Sequence, residues 1–225
     1  MRWDVRAFDL FAPLYDLFMP AADETAIRKG LVVADRDIDR IIEVGGGSGR
    51  VARTVGATVV DPAGGMLKRA RQKGTEAVRA SATHLPHPDG SVDAVLVVDA
   101  LHHFPDPDRC LVEASRVLAP GGVLVVREFD RATRLGHALE LAESVVGFHS
   151  SFYTAAELEA AIETAGLSVR PIEYGFEMTV AGVKPSPKLE IEESPHRQDD
   201  GTADDHDHRE RHVGTAAGDR DDADE

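Results

Sequence analysis

The chain has 225 residues, of which 42% are hydrophobic, so one domain with a sizeable core and some remainder is expected. Its single cysteine, Cys110, excludes an intramolecular disulfide, and no apolar run approaches the roughly 18 residues that a membrane-spanning helix needs. A net charge of −15 repels phosphate backbones and disfavours DNA or RNA as a partner. We therefore expect a cytoplasmic protein that has no signal peptide, no membrane span, no nucleic-acid partner and no resident metal.

The basic residues comprise 20 arginines and only 5 lysines. An excess of acid with scarce lysine is typical of proteins from salt-loving organisms, in which concentrated salt screens charges over a few ångströms. The composition therefore predicts a halophilic protein, with an acidic protein of an ordinary cell as the alternative.

Strand-like and helical segments alternate along the chain. Residues 1–40 are predicted to form helices outside a sheet. The predicted strands, which are rich in β-branched residues, cover residues 39–44, 57–60, 77–80, 92–98 and 123–127. Predicted helices lie at 66–71, 106–118 and 154–165, the last with a capping box of Thr154 and Glu157.

Two further strand-like runs, 167–173 and 176–183, are separated by two residues and predict an antiparallel hairpin at one sheet edge. The alternation before them predicts an α/β fold with a doubly wound, seven-stranded, mostly parallel sheet. The predicted domain covers residues 1–183.

Residues 184–225 hold 14 acidic and 6 basic residues and few large aliphatic ones. Such a segment cannot bury enough apolar surface to offset its ordering entropy, so we predict a disordered acidic tail. Its cluster Asp204-Asp-His-Asp-His208 has the composition of a weak metal-binding tract, but a solvated tail is the favoured interpretation.

A glycine-rich loop follows the first predicted strand. Gly45, Gly47 and Gly49 allow the backbone to approach a ligand closely, and the next helix would present its N–H groups to a negative group. A dinucleotide fingerprint requires glycine at position 50, which is arginine. By itself the loop admits a dinucleotide, another nucleotide-like ligand, or a tight turn with no ligand.

Asp61 narrows these alternatives because it ends the second predicted strand. The carboxyl ends of neighbouring parallel strands line one crevice, where doubly wound proteins bind ligands. A carboxylate there can accept hydrogen bonds from both hydroxyls of a ribose. The pair of features predicts a ribose-containing ligand.

Residues 40–127 resemble the core of class I S-adenosylmethionine-dependent methyltransferases, closest to the group with the ubiquinone and menaquinone biosynthesis C-methyltransferases. Six motifs in order carry the resemblance: 42–49, 60–67, 80–86, 91–95, 99–104 and 118–122. The resemblance implies S-adenosylmethionine as cofactor and methyl transfer to a small organic acceptor.

The resemblance also implies roles for individual residues. Asp61 would bind the ribose, Met66 would lie beside the adenine, and Asp99 would lie near the methionine end. Ser81 stands where the family usually has an acid for the adenine amino group, which is a departure from the pattern. The implied cofactor-binding set is Tyr15, Glu43, Gly45, Gly47, Gly49, Asp61, Pro62, Met66, Ser81, Ala82 and Asp99, with Tyr15 in a segment that folds over the cofactor.

No residue can be assigned firmly to catalysis. His102 and His103 follow the fourth strand and are weak candidates for a base, since histidine titrates near neutrality. Weaker candidates are Glu128, Asp130, His149 and Tyr153.

Residues 131–153, where the family chooses its acceptor, contain several large apolar side chains, so we expect a hydrophobic or aromatic acceptor. Ordinary helix packing explains the same residues. Two functional alternatives stay open, a non-catalytic S-adenosylmethionine-binding protein and, less favoured because of Arg50, a nicotinamide-dependent oxidoreductase.

Overall fold

The computed structural model describes residues 24–146 and 150–187. Its strands are β1 (Ile41–Val44), β2 (Thr58–Asp61), β3 (Ala77–Arg79), β4 (Val92–Val98), β5 (Leu118–Phe129), β6 (Ser168–Glu173) and β7 (Glu177–Val183). They form one sheet in the order β3-β2-β1-β4-β5-β7-β6. The first five strands are parallel, and β7 runs antiparallel to both β5 and β6. The predicted fold class, including the C-terminal hairpin, is confirmed.

The helices lie between the strands, as the alternating pattern predicts. They are α1 (Glu24–Val32), α2 (Ala52–Val55), α3 (Gly64–Gln72), α4 (Pro107–Val117), α5 (Arg134–Val146) and α6 (Ala155–Thr164), with a 3₁₀ turn at Leu101–His103. At the start of α6, Thr154 and Glu157 bond to each other's backbone N–H, which confirms the predicted capping box. The start of α4 is fixed by Asp106, whose side chain accepts a hydrogen bond from the Arg109 N–H.

Strand β4, in the centre of the sheet, is buried on both faces, which explains its near-continuous apolar sequence. Along β4, Val95 and Val97 pack on one face with residues of α4 and α6, while Ala94, Leu96 and Val98 pack on the other. Ile27 of α1 is fully buried on that second face, so the described part of residues 1–40 includes a helix outside the sheet.

Strand β5 is longer than the 123–127 predicted. Leu118 pairs with Val92, and the register shifts between Val92 and Ala94. The strand passes so close to β4 that a Cβ on Gly122 would lie 2.7 Å from the Asp93 carbonyl oxygen. The Pro120-Gly-Gly122 sequence predicts a turn, but glycine at 122 also lets the chain run on as an irregular strand.

Several predictions fall outside the described residues or stay predictions. Tyr15 and His149 lie outside the described part, as does the acidic tail after residue 187. The domain boundary between residues 183 and 184 stays a prediction. No helix in the described part of the chain combines the length and the apolar character needed to cross a membrane.

Candidate active site

A cavity of about 230 Å³ opens at the carboxyl ends of β1, β2 and β4. We call it the main cavity. Its walls come from the glycine loop after β1, the end of β2 with the start of α3, and the end of β4 with the 3₁₀ turn. The lining residues are Glu43, Gly45–Ser48, Arg50, Val51, Val60–Ala63, Met66, Ser81, Ala82, Val98–Ala100 and His103–Pro105. This is the crevice position that the topology predicts for a ligand.

Asp61 ends β2, and its carboxylate holds the glycine loop. Its Oδ2 accepts a hydrogen bond from the Gly47 N–H at 3.0 Å, and its Oδ1 accepts one from the Ala63 N–H at 2.7 Å. The residue is buried on the cavity wall. A carboxylate can accept about four hydrogen bonds. Asp61 therefore shapes the loop and also presents a charged acceptor on the cavity wall.

Glycine is required at the three positions of the predicted loop for different structural reasons. All three have positive φ, of 75°, 53° and 73° for Gly45, Gly47 and Gly49. A Cβ on Gly45 would lie 2.8 Å from the Ala100 Cβ, and one on Gly49 would lie 3.2 Å from the Thr75 side chain. A Cβ on Gly47 would meet nothing closer than Met66 at 3.9 Å. Gly45 and Gly49 are therefore needed for packing, and Gly49 does not line the cavity, whereas Gly47 leaves room beside the wall.

Glu43 lies beneath the loop and is 3% exposed. Its Oε2 accepts a hydrogen bond from the Ala52 N–H at 2.7 Å. Burial raises the pKa of its carboxyl to about 8, against the smaller lowering effects of the Ala52 hydrogen bond and of Arg50. The expectation that the helix after the loop offers its N–H groups to a ligand is corrected here, because α2 has one turn and Glu43 takes its first N–H.

Asp99 follows β4 on the opposite side of the cavity. It is the one described non-glycine residue with positive φ, at 49°, a strained conformation of the kind that gathers at functional sites. Its Oδ2 lies 3.3 Å from the Arg50 guanidinium, and its buried Oδ1 has no hydrogen-bond partner among the described residues. Burial and the Glu128 carboxylate raise the pKa of Asp99, and Arg127 and Arg50 offset part of this rise. The unpartnered oxygen marks a place for a positively charged or hydrogen-donating group.

Glu128 fixes the turn that carries the two histidines. Its Oε1 accepts hydrogen bonds from the backbone N–H groups of Ala100 and Leu101, at 3.0 and 2.6 Å, and its Oε2 lies 2.6 Å from His102 Nδ1. It is 1% exposed. Glu128 was a weak catalytic candidate in the sequence, and the structure places it off the cavity wall as a clamp on the 3₁₀ turn.

His102 and His103 point to different surroundings. His102 is buried away from the cavity wall and stacks on Phe152, with ring centroids 4.5 Å apart. Burial lowers the pKa of His102, but attraction to Glu128 and the hydrogen bond with it raise it more, so the net shift is upward. Of the two histidines, only His103 lines the main cavity.

His103 is held by the segment before α6. Its Nδ1 lies 3.2 Å from the Ser150 hydroxyl, which also hydrogen-bonds to Glu143 of α5. Burial, and secondarily His102, lower the pKa of His103 to about 3. The imidazole is therefore neutral near pH 7, which makes it an acceptor or a ligand but a weak base.

The main cavity is lined both by the remaining predicted cofactor-binding residues and by residues that the sequence does not predict. Pro62, Met66, Ser81 and Ala82 all line the cavity. Arg50, Phe104 and Pro105 also line it but were not predicted as site residues. In the sequence, Arg50 is marked only by its position directly after the glycine loop, where it argues against a dinucleotide fingerprint.

Residues 131–153 are the segment expected to choose the acceptor. Only some of their apolar side chains pack against the rest of the protein. In α5, Leu135 and Leu141 are 65% and 61% exposed, while Phe152 is buried against His102. Tyr153 is partly buried beside the core, and burial raises the pKa of its hydroxyl to about 12. None of these side chains lines the main cavity as the described residues form it.

Residues 42–126 match a family model described as a methyltransferase domain. An uncharacterised methyltransferase of Mycobacterium tuberculosis is 40% identical over 113 residues, covering 47% of this chain and 46% of the relative. The demethylmenaquinone methyltransferase of Thermus thermophilus is 39% identical over 140 residues, covering 54% of this chain and 64% of the relative. The chain thus spans about half the length of the first of these and under two thirds of the second.

Comparison with solved structures shows a similar fold. An S-adenosylmethionine-dependent methyltransferase of Thermotoga maritima, a possible histamine N-methyltransferase, superposes with a TM-score of 0.67 at 26% identity. The match covers 81% of this chain and all of that structure. The similarity therefore extends beyond the motif-bearing core to the C-terminal hairpin side of the sheet.

Proposed function

We propose that this chain is a class I S-adenosylmethionine-dependent methyltransferase, and that it transfers a methyl group from S-adenosylmethionine to a small hydrophobic or aromatic acceptor. The proposal rests mainly on the hydrogen bond between the Gly47 N–H and the Asp61 carboxylate on the wall of the main cavity. A carboxylate and a bare glycine backbone meet there, 3.0 Å apart, at the carboxyl ends of adjacent parallel strands.

The cavity walls have the chemistry that the cofactor requires. We assign the ribose hydroxyls to Asp61 and the adenine to the stretch of wall formed by Pro62, Met66, Ser81 and Ala82. The exposed Ser81 hydroxyl already bonds to Thr83, so an adenine amino group would share it. This arrangement replaces the acid that the family usually has at the position, and we expect weaker adenine binding than an acid would give.

Asp99 fits the methionine end. Its unpartnered buried Oδ1 would accept a hydrogen bond from the cofactor's ammonium group, and the adjacent Arg50 would attract its carboxylate. When bound, S-adenosylmethionine supplies a methyl group already activated by its sulfonium charge. The residues around it then need to align the acceptor and to exclude water.

An aromatic acceptor is supported by the relative from Thermus thermophilus, whose name states that it methylates demethylmenaquinone. His103 lines the cavity as a neutral imidazole, and we assign it to orienting an acceptor hydroxyl rather than to removing its proton. The acidic, lysine-poor composition supports a cytoplasmic setting in a salt-loving organism without a nucleic-acid partner.

The low basicity of His103 favours one rival, a protein that binds S-adenosylmethionine without turning it over. To distinguish a methyltransferase from a non-catalytic binding protein, the chain is incubated with S-adenosylmethionine and a panel of phenols and quinols in high salt. The S-adenosylhomocysteine formed is then measured. Acceptor-dependent product supports the methyltransferase, and its absence across acceptors of every class supports the binder. Stabilisation against heat by S-adenosylhomocysteine but not by NAD is expected in both cases, and the reverse would favour a nicotinamide-dependent enzyme.

A further inference from the structure

Behind the main cavity, side chains from two segments, the 3₁₀ turn and α5, gather into what we call the His–Glu cluster: His102, His103 and Glu143. One ring nitrogen of each histidine and one carboxylate oxygen of Glu143 lie within 4.8 Å of one another. The cluster is partly enclosed, because His102 is buried and the other two are half-buried. Nothing in the proposed methyl transfer requires Glu143.

We propose that His102, His103 and Glu143 bind a divalent transition-metal ion such as Zn²⁺ or Co²⁺. Two imidazoles and one carboxylate are a common ligand set for such ions, and the set leaves a coordination position open for water or another molecule. No metal site is predicted from the sequence, because the three residues are up to 41 positions apart and one of them lies in the variable segment.

The surrounding hydrogen bonds prepare His102 for this role. Its Nδ1 lies 2.6 Å from Glu128 Oε2, so that nitrogen carries the proton shared with the carboxylate. The other nitrogen, Nε2, faces Glu143 Oε1 at 3.9 Å. A carboxylate that orients a histidine from behind is the usual support of a metal-binding imidazole. Glu128 thus serves the cluster as well as the turn.

The three ligand atoms, which lie within 4.8 Å of one another, would move closer together around an ion. Bonds of about 2.0–2.2 Å put neighbouring ligand atoms of a tetrahedral site roughly 3.4 Å apart. The His102–Glu143 separation of 3.9 Å exceeds this by about half an ångström, which a rotation of the Glu143 side chain, 20% exposed, can supply. Ser150, bonded to both His103 and Glu143, ties the two flanking ligands together.

The position of the His–Glu cluster beside the main cavity assigns a bound ion a role in binding the acceptor. His103 belongs to both the cluster and the cavity wall. An ion at the cluster would therefore lie within one side chain of the space where the acceptor is expected, and its open position suits an acceptor with an oxygen ligand. This use rests on the proposed function, whereas the binding of the ion does not.

Metal binding is tested on the full chain, stripped with a chelator and titrated with Co²⁺ while visible absorption and equilibrium dialysis are followed. Glu143→Gln should weaken the tightest site by about tenfold or more. Glu140→Gln, one turn earlier on α5 and 31% exposed, is the matched control and should bind as the wild type does. Loose binding by the His-containing tail is common to all three proteins and cancels in the comparison.

A second pair of variants tests directly whether the side chain at position 143 coordinates the ion. Glu143→Cys should give the Co²⁺ complex a new near-ultraviolet thiolate-to-cobalt band, and Glu140→Cys should not. Equal Co²⁺ affinity in wild type and Glu143→Gln, or no new band with Glu143→Cys in a protein that unfolds cooperatively, would overturn the proposal. The cluster would then be a buried group in which His102 contacts the Glu128 and Glu143 carboxylates without a metal, and S-adenosylhomocysteine binding would be unaffected by that outcome.

Discussion

Glu43→Gln tests the electrostatics beneath the glycine loop. Burial raises the pKa of Glu43 from 4.5 to about 8, so between these pH values the folded protein holds a proton that the unfolded chain releases. Each unit corresponds to about 1.36 kcal/mol, so full ionisation of Glu43 lowers the free energy of unfolding by on the order of 5 kcal/mol. This contribution is fully present below pH 4.5 and is lost as pH rises to about 8.

Glutamine keeps an oxygen for the Ala52 N–H but never ionises. Urea unfolding of both proteins across this pH range should therefore show that the variant becomes more stable relative to the wild type as the pH rises. The difference in the free energy of unfolding should grow by about 1.4 kcal/mol per pH unit and then level off above the folded pKa. Titrating groups that do not interact with Glu43 are common to both proteins and cancel. A difference that does not change with pH would refute the assignment of a buried, protonated Glu43.

Four further variants test other parts of the scaffold and of the cavity wall. Glu128→Ala leaves two buried backbone N–H groups of the 3₁₀ turn unpaired, and urea unfolding should show a loss of about 2–6 kcal/mol; a loss below 1 kcal/mol would contradict the clamp. Thr154→Ala removes the cap of α6 and should cost about 1 kcal/mol, or roughly 2–4 °C in Tm by calorimetry. Gly45→Ala should mainly lower stability, because its Cβ meets Ala100 at 2.8 Å. Gly47→Ala should mainly weaken S-adenosylhomocysteine binding, and equal effects of the two glycine variants on binding would contradict their different surroundings.

The sheet is highly predictable from this sequence. Strands β4 and β5 are apolar on both faces, and the turn residues between segments mark most of their ends, so the seven strands and their alternation with helices follow from local pattern. The extension of β5 back to Leu118 does not, because it depends on how closely Gly122 passes β4. A one-dimensional pattern records neither that distance nor the register shift.

The site is predictable only in part. Asp61 is recognisable because a polar residue at the end of an apolar strand has a fixed place in a doubly wound sheet. The adjacent residues His102 and His103 cannot be told apart in sequence, since the direction of each ring depends on Glu128 and Ser150, which lie 26 and 47 residues from their partners. Long-range contacts of this kind also bring Glu143 to the histidines.

If the main cavity binds the cofactor, Asp61 should supply much of the binding energy. Titration calorimetry of S-adenosylhomocysteine against wild type and Asp61→Ala tests it most directly, with Asp89→Ala, an 81% exposed carboxylate elsewhere on the surface, as the control. A hydrogen bond to a charged group contributes about 1.5–3 kcal/mol, so Asp61→Ala should weaken binding by roughly 10- to 150-fold while the control leaves it unchanged. Wild-type affinity in a folded Asp61→Ala protein would place the cofactor elsewhere and contradict the account.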